Sequence, residues 1–541
     1  MSASKVSGFA SAASADEQTI TAMAEKTNSR TTSRMGMGFQ SKVRRLSGSV
    51  TVTPGIYSSG RWRPHESGLG PGDVTESVSV RNIDWSAGNP AVRLPRMHPS
   101  SPELSLLSRR TMIQMGSLGL AGATTSLQAG PDAGQRPETS CIMFFLDGGP
   151  SHHETFDPKP QAPQTVRGQF GVIDTAVSGF RICDRLPLLA AQARRFSVVR
   201  SLHHGNNSHA PSEHQMLTGR MGTRDGTRRA VIETPSFGSI VSRLRGTRRP
   251  GMPAYVGIPW SFHHEYIGSP FGAAAYLGSR HEPFESGHLP ASTTEKFTVP
   301  VLELQDGLSP PRLQQRQSLL SVLDQFRHQG PVAPAIGQIR DFTRQGMDLL
   351  LQQHVRDAFD LSRETSATRQ RYGPHEWGQG ALLARRLVET GVTFTLIQCG
   401  LKQDWDTHSA NFTNLDKFLP RLDRAVATLL SDLADRGMLE STMVMVIGEF
   451  GRTPKINKNA GRDHWGDCFS ALVAGGGLKM GQVVGESDAI GAHPVDRPIH
   501  PQDLFATMYH VLGIDPHTIF TDHQNRPIPV LNHGAPIEEL V

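Results

Sequence analysis

No CxxC or other tight cysteine pair occurs in this 541-residue chain; its four cysteines, Cys141, Cys183, Cys399 and Cys468, lie far apart. That spacing argues against a structural zinc site, and a buried free thiol is the expected state of the two that fall in predicted strands. No sustained basic stripe is present either. The formal charge of +5 is dispersed in pairs such as Arg228-Arg229 and Arg385-Arg386, which argues against nucleic acid as a partner. No apolar run is long enough to prefer spanning a membrane. Aromatic residues (6%) and charged residues (19%) are few, whereas 54 glycines and 37 prolines imply many turns and long loops. The length suffices for a large core, or for two or three domains.

Residues 1–96 are rich in Ser, Gly, Thr and Arg and lack apolar periodicity, so they read as disordered or as sequence upstream of the true start. Met97 is a plausible start, because Ser108-Arg109-Arg110-Thr111-Met112-Ile113 is close to the twin-arginine export pattern and leads into the mildly apolar MGSLGLAGATTSL. On that reading residues 97–129 are a signal peptide, and residues 130–541 form a folded domain delivered to the periplasm or cell envelope. Its cysteines would then meet an oxidising compartment and could pair.

From Ser140 onward apolar strands alternate with helical patterns, which predicts a three-layer αβα sandwich on a mostly parallel sheet. CIMFFL (141–146), FSVVRSL (196–202), VTFTLI (392–397), MVMVI (443–447) and residues 471–474 read as strands. Residues 181–195, segments within 312–365, 381–390 and 415–436 read as helices, and residues 230–310 as an insertion at the mouth of a crevice.

In an open α/β sheet that crevice lies at the carboxyl ends of the strands. Asp147 ends the first strand; Glu449, Arg452, Asp463 and His464 follow MVMVI; His203 and His204 follow FSVVRSL; Asp404, Asp406 and His408 follow VTFTLI. Asp404 and His408 are four apart, a spacing that can aim both at one cation. The candidate metal set is therefore Asp147, Asp404, His408, Glu449, Asp463 and His464. Carboxylate plus imidazole suits zinc or manganese, and magnesium or calcium where oxygens dominate. Five or more such ligands can hold two divalent ions about 4 Å apart, the arrangement that clamps both oxygens in phosphoryl or sulfuryl transfer.

NSHAPSEHQMLTGRMG (207–222) supplies a resemblance. Sulfatases carry Cys or Ser, then x-Pro-Ser-Arg, then a helix ending Leu-Thr-Gly-Arg, and Pro211, Ser212, Leu217, Thr218, Gly219 and Arg220 match that spacing. The passages LDGGPSHHETFDPKP, HAPSEHQMLTGR, LLARRLVETGVTFTLIQCG, DWDTHSANF and GEFGRTPKINKNAGRDHW, over residues 108–535, resemble the family of unknown function DUF1501 within the alkaline phosphatase and sulfatase superfamily. The resemblance implies an alkaline phosphatase-like fold. It implies metal ligation by Asp147, by the pair Asp404 and His408, by Glu449 and by His464. Phe450 stands where a ligand is lost, and Asp463 is its candidate substitute.

The nucleophile position is His209, and the arginine that would support it is Glu213. Without a cysteine there, ordinary sulfatase chemistry is not expected. His209 can be a nucleophile, a ligand or a general acid; Ser208 or Ser151 can be an activated hydroxyl; a metal-held hydroxide would need none of them. His209, Ser208 and Arg452 are the catalytic candidates. The implied function is an exported metal-dependent hydrolase of phosphate or sulfate esters, on a small-molecule or glycan substrate. The alternative is a catalytically retired member, a metal-stabilised carbohydrate- or envelope-binding protein using Trp260 and Trp377 to stack on sugars.

Overall fold

A computed structural model describes residues 138–221, 234–261, 271–304, 307–327, 334–401 and 403–541. The chain divides into Met1–Ser108 and Arg109–Val541, and everything described lies in the second unit. The twin-arginine-like stretch and the signal-peptide boundaries lie outside the described residues.

Eight strands form one sheet: β1 (Ser140–Leu146), β2 (Phe196–Leu202), β3 (Tyr255–Ile258), β4 (Phe284–Glu285), β5 (Phe394–Cys399), β6 (Thr442–Ile447), β7 (Phe469–Ala474) and β8 (Val483–Val484), in the order β8-β2-β7-β6-β1-β5-β3-β4. β1 pairs in parallel with both β5 and β6, and only β7 runs antiparallel, between β2 and β6. Central strands of a parallel sheet are covered on both faces, which is why β1, β5 and β6 read as near-continuous apolar runs and are buried throughout.

Alternate residues of β1 enter different cores. Ile142, Phe144 and Leu146 pack with Leu382, Val388, Leu422 and Leu429, whereas Cys141, Met143 and Phe145 pack with Phe237, Ile240, Phe505 and Tyr509. The first layer is α5 (Glu376–Thr390) and α6 (Asn411–Asp435); the second is α2 (Phe237–Leu244) and α7 (Pro501–Val511), with α1 (His209–Thr218) entering from the strand ends. The expected three-layer α/β sandwich is therefore the observed fold. α3 (Pro310–Arg327) and α4 (Pro334–Leu351) lie where helices were expected.

Three expectations change. Residues 181–195 form a short strand, Arg181–Cys183, then the four-residue helix Pro187–Ala190 and a 3₁₀ turn, not one helix. Pro187 fixes the helix start, and the turn ahead of it is spent pairing Arg181–Cys183 with Val172–Asp174. Residues 230–310 are not purely a crevice insertion, since α2, β3 and β4 build the sheet and its cover. All four cysteines are buried and unpaired. Among the described residues, no helix is long and apolar enough to cross a membrane.

A buried charge cluster joins α5 to α6. Arg385 is 1% exposed and lies 2.6 Å from Glu364, 2.5 Å from Glu389 and 3.1 Å from Asp432. Arg386 also contacts Glu364 and Arg436 also contacts Asp432, so removing Arg385 leaves partly compensated carboxylates. Arg385→Ala is expected to cost about 3 kcal/mol, the lower end for breaking a buried ion pair. Urea unfolding checks this, and a loss under about 1 kcal/mol would mean that the neighbouring arginines suffice.

Candidate active site

α1 delivers His209 at its first turn, where the chain leaves the β2 end through Asn206 and Asn207. His209 Nδ1 lies 2.7 Å from Glu449 Oε1 and 3.6 Å from Glu213 Oε1, and Nε2 lies 3.4 Å from Asp406 Oδ2. Glu449 follows β6, is fully buried, and accepts from the Gly148 N–H at 3.1 and 3.3 Å. His204 Nε2–H donates to the Glu449 carbonyl at 2.6 Å, and burial holds that imidazole down to about 4, so it positions Glu449 as a neutral ring. Asp147 ends β1 and accepts from Gln398 Nε2 at 3.1 Å and from the Gln403 N–H at 3.4 Å, both on Oδ2. Its buried Oδ1 has no hydrogen-bond donor.

A second set of donors converges next to the first. His464 Nδ1 lies 2.9 Å from the Asn207 carbonyl, which can only accept, so Nδ1 carries the proton. His408 Nδ1 lies 2.7 Å from Asp463 Oδ1, which orients that ring in the same way. In the neutral rings both Nε2 atoms therefore present lone pairs. They stand 2.9 Å from each other and 3.0 and 3.2 Å from Asp406 Oδ1. Three acceptors meeting at one point repel unless a proton or a cation lies among them, so the donor chemistry fits a divalent cation. Among the described residues, two groups have ligand atoms mutually within 4.8 Å: His209, Asp406 and His464; and His209, Glu213 and Glu449.

The electrostatics agree with this geometry. Burial, and then the charge of Glu449, push the Asp147 and Glu213 carboxyls well above the usual range. Burial alone would depress His209, but its hydrogen bonds to Asp406 and Glu449 prevail and raise it to about 9. Burial of Asp406 is likewise outweighed, by His209, His464 and Arg452, and its carboxyl falls below the usual range. His209 thus stands against Glu213, Glu449 and Asp406, and Arg452 against Asp406.

The expected site residues divide. Asp147, Glu449, His209, His408 and His464 come together at the strand ends. Asp463 is more than half exposed and holds the back of the His408 ring. Asp404 is exposed and lines a separate cavity of about 300 Å³ with Trp377, Arg421 and Gln398; it is Asp406 that reaches the crevice. Residues 403–410 form a loop with Gln403 and Ala410 at positive φ, and its course sends Asp404 away from His408 and sets Asp406 beside it. Glu213 was legible as the i,i+4 partner of His209 on α1.

Arg452 is fully buried and does not face the crevice. Its guanidinium donates to the carbonyls of Gly148, Gly149, Trp405 and Arg462 and to Asp406 Oδ1, which makes it a positioning residue. Ser208 is exposed at the helix N-cap, whereas Ser151 is 1% exposed beneath the loop. Phe450, buried, sets its ring 4.6 Å from His464 and 5.0 Å from His209. Trp377 is 5% exposed, stacked on Trp405 and covered by Arg421 at 4.3 Å, so it offers no face to a sugar.

The profile of the family described as protein of unknown function (DUF1501) matches residues 138–541. The chain belongs to the DUF1501 family. No curated protein matches it in sequence. Among solved structures, this DUF1501 chain is similar to the lipoteichoic acid synthase LtaP from Listeria monocytogenes (10% identity, 72% of this chain and 76% of that one, TM-score 0.32). It is also similar to the sulfatase PsFucS1 from Pseudoalteromonas sp. (13%, 76% and 72%, 0.29). A third is the C-terminal periplasmic domain of EcEptC from Escherichia coli in complex with Zn (9%, 75% and 93%, 0.31).

Metal content separates the two aspartates. Asp406→Asn is expected to lower the zinc or manganese retained by the full chain, measured by elemental mass spectrometry, and Asp404→Asn to leave it unchanged. Asp463→Ala should weaken the affinity by roughly 10- to 100-fold, the usual cost of losing the carboxylate behind a histidine ligand. Equal retention in Asp406→Asn and the parent would remove the cation from this crevice.

Proposed function

We propose that this DUF1501 protein is an exported, metal-dependent hydrolase of phosphate or sulfate esters. The observation that carries the reading is the convergence of the His408 and His464 Nε2 lone pairs on Asp406 Oδ1. Asp406, His408 and His464 would hold one divalent ion. Asp147, Glu213 and Glu449 would hold a second, with His209 between the two groups. Zinc or manganese suits this nitrogen and oxygen set, and the oxygen-rich group also suits magnesium or calcium. Bound there, such ions supply positive charge against the negative charge that develops on a transferring phosphoryl or sulfuryl group. Export rests on the twin-arginine-like residues 108–113.

The chain's own groups have distinct tasks in this reading. His209 sits at the first turn of α1 between Glu449 and Asp406, and its hydrogen bonds to these carboxylates raise its proton affinity. Its Nε2–H is the proton donor to the leaving-group oxygen. Ser208, exposed one residue earlier, is the hydroxyl available as nucleophile; water is the other. Asn207 and Asp463 fix the two imidazoles, and Arg452 holds Asp406 in place.

Phe450 favours a second reading, since an apolar ring occupies the position where the superfamily resemblance places a ligand. A metal-stabilised binding protein would keep the ion and turn over nothing.

The test is a screen of phosphate and sulfate mono- and diesters with the full chain, before and after chelation and metal replacement. Turnover that disappears on chelation and returns with zinc or manganese is expected. His209→Gln should reduce kcat by roughly 10²- to 10⁴-fold on esters with poor leaving groups and much less on 4-nitrophenyl esters, which need no proton. Bound metal with no turnover of any ester, together with a glycan-dependent rise in Tm, would establish the binding protein instead.

A further inference from the structure

His408 is half-exposed on the loop of residues 403–410, yet its Nε2 must meet Asp406 and His464. A ligand so placed binds weakly unless its rotamer is held. What holds it comes from residues 453–463, the loop between Arg452 and His464. The ends of that loop pair through the Thr453 N–H on the Asp463 carbonyl (2.9 Å) and the Asp463 N–H on Thr453 Oγ1 (3.0 Å). Its tip meets the start of α6: the carbonyls of Asn459 and Ala460 accept from the N–H groups of Ala410 and Asn411 at 3.0 and 2.9 Å, which satisfies two of the orphan donors there.

Asn457 closes the loop from inside. Its Oδ1 accepts from the N–H groups of Asn459 and Gly461 at 2.9 and 3.0 Å, and its Nδ2 donates to the His408 carbonyl at 2.9 Å and to Asp463 Oδ1 at 3.3 Å. Exchanging the two amide atoms would set an oxygen against a carbonyl and a carboxylate, so the network fixes the orientation. The acceptor half is an Asx-type turn that shapes the loop. The donor half does something else. With the 2.7 Å bond from His408 Nδ1 to the same Asp463 oxygen, it completes a ring of hydrogen bonds that begins at the His408 carbonyl and ends at the His408 imidazole.

We propose that Asn457 is a positioning residue for the divalent ion of the crevice: through Asp463 and the His408 carbonyl it sets the direction of the His408 Nε2 lone pair. The role rests on the cation reading of Asp406, His408 and His464. An imidazole turns against its own backbone about χ1 and χ2, and a hydrogen-bond ring that grips both carbonyl and imidazole restrains the two together. Asp463 alone would grip the imidazole from a carboxylate that is itself more than half exposed. The Asn457 amide is the second donor on that carboxylate oxygen, and it refers the oxygen back to the His408 backbone.

The experiment measures the zinc affinity of the full chain by competition with a fluorescent zinc chelator, in a cycle of Asn457→Ala, Asp463→Ala and the double variant. Asn457→Ala is expected to weaken zinc binding about tenfold in the parent and at most about threefold in the Asp463→Ala background, since residues of one network do not add. Equal losses in both backgrounds would reduce Asn457 to a loop-shaping residue and overturn the role. Asn457→Asp keeps the acceptor half, and with it the loop, but turns an oxygen towards Asp463 and the His408 carbonyl. It is expected to weaken zinc binding as Asn457→Ala does while keeping the parent Tm after chelation; tighter zinc binding would overturn the role, because added charge would then outweigh orientation. Asn457 variants that match a zinc-holding parent would remove this role alone, whereas a parent that retains no zinc would remove the cation reading with it.

Discussion

The guanidinium of Arg452 ties together three loops that belong to three different strands. Gly148 and Gly149 follow β1, Trp405 and Asp406 follow β5, and Arg462 lies in the loop after β6. A fully buried cation is costly unless its donors are satisfied, and here four carbonyls and one carboxylate take them up. The loops must therefore keep the spacing that the planar fork demands. Gly148 and Gly461 allow it: a Cβ on Gly148 would lie 2.5 Å from the Asp406 nitrogen, and one on Gly461 2.0 Å from the His408 carbonyl. Close backbone approach beneath the crevice is what brings Asp406 and His408 within reach of His464.

Beneath this clamp lies a second buried pair, Arg462 with Glu154, in which the guanidinium also donates to the carbonyls of Thr453, Pro454 and Val166. Both arginines are spent on architecture. The crevice above keeps a surplus of negative charge, because Asp147, Glu213 and Glu449 share a desolvated space in which His209 is the nearest cation. Such a surplus is resolved either by protons, which the raised carboxyls indicate, or by a metal. The two imidazole nitrogens of His408 and His464 at 2.9 Å need a proton on one of them or a cation between them.

Much of this was legible in the sequence because strands buried on both faces announce themselves as apolar runs, and a charged residue that ends such a run has few places to go. Asp147, Glu449 and His464 were found in that way. A spacing of four on a turn or tight loop, together with the family resemblance, points to Asp404 and His408, and nothing local to DWDTH reveals that Gln403 and Ala410 take positive φ and set Asp406 beside His408 instead. The role of Arg452 was hidden for a different reason. A charged side chain after a strand looks the same in sequence whether it faces substrate or backbone carbonyls, and only the closure of three distant loops decides between them. Residues 181–195 misled through composition: leucines and alanines at helical spacing, cut short by Pro187 and by a pairing with Val172–Asp174 that no local pattern encodes.

Phe450 sets an apolar wall inside a crevice of charged groups. Its ring is fully buried against His209 and His464, and a Cβ on Gly149 would strike it at 2.5 Å, so the β1 loop and the β6 loop have been fitted around an apolar group. A hydrocarbon wall lowers the local dielectric and strengthens each charge interaction beside it, including His209 with Glu449 and Asp406. On the α1 side the oxygens of Glu213 stand beside His209 and Glu449. A buried glutamate beside existing carboxylates makes the site more negative, which increases its demand for cationic charge.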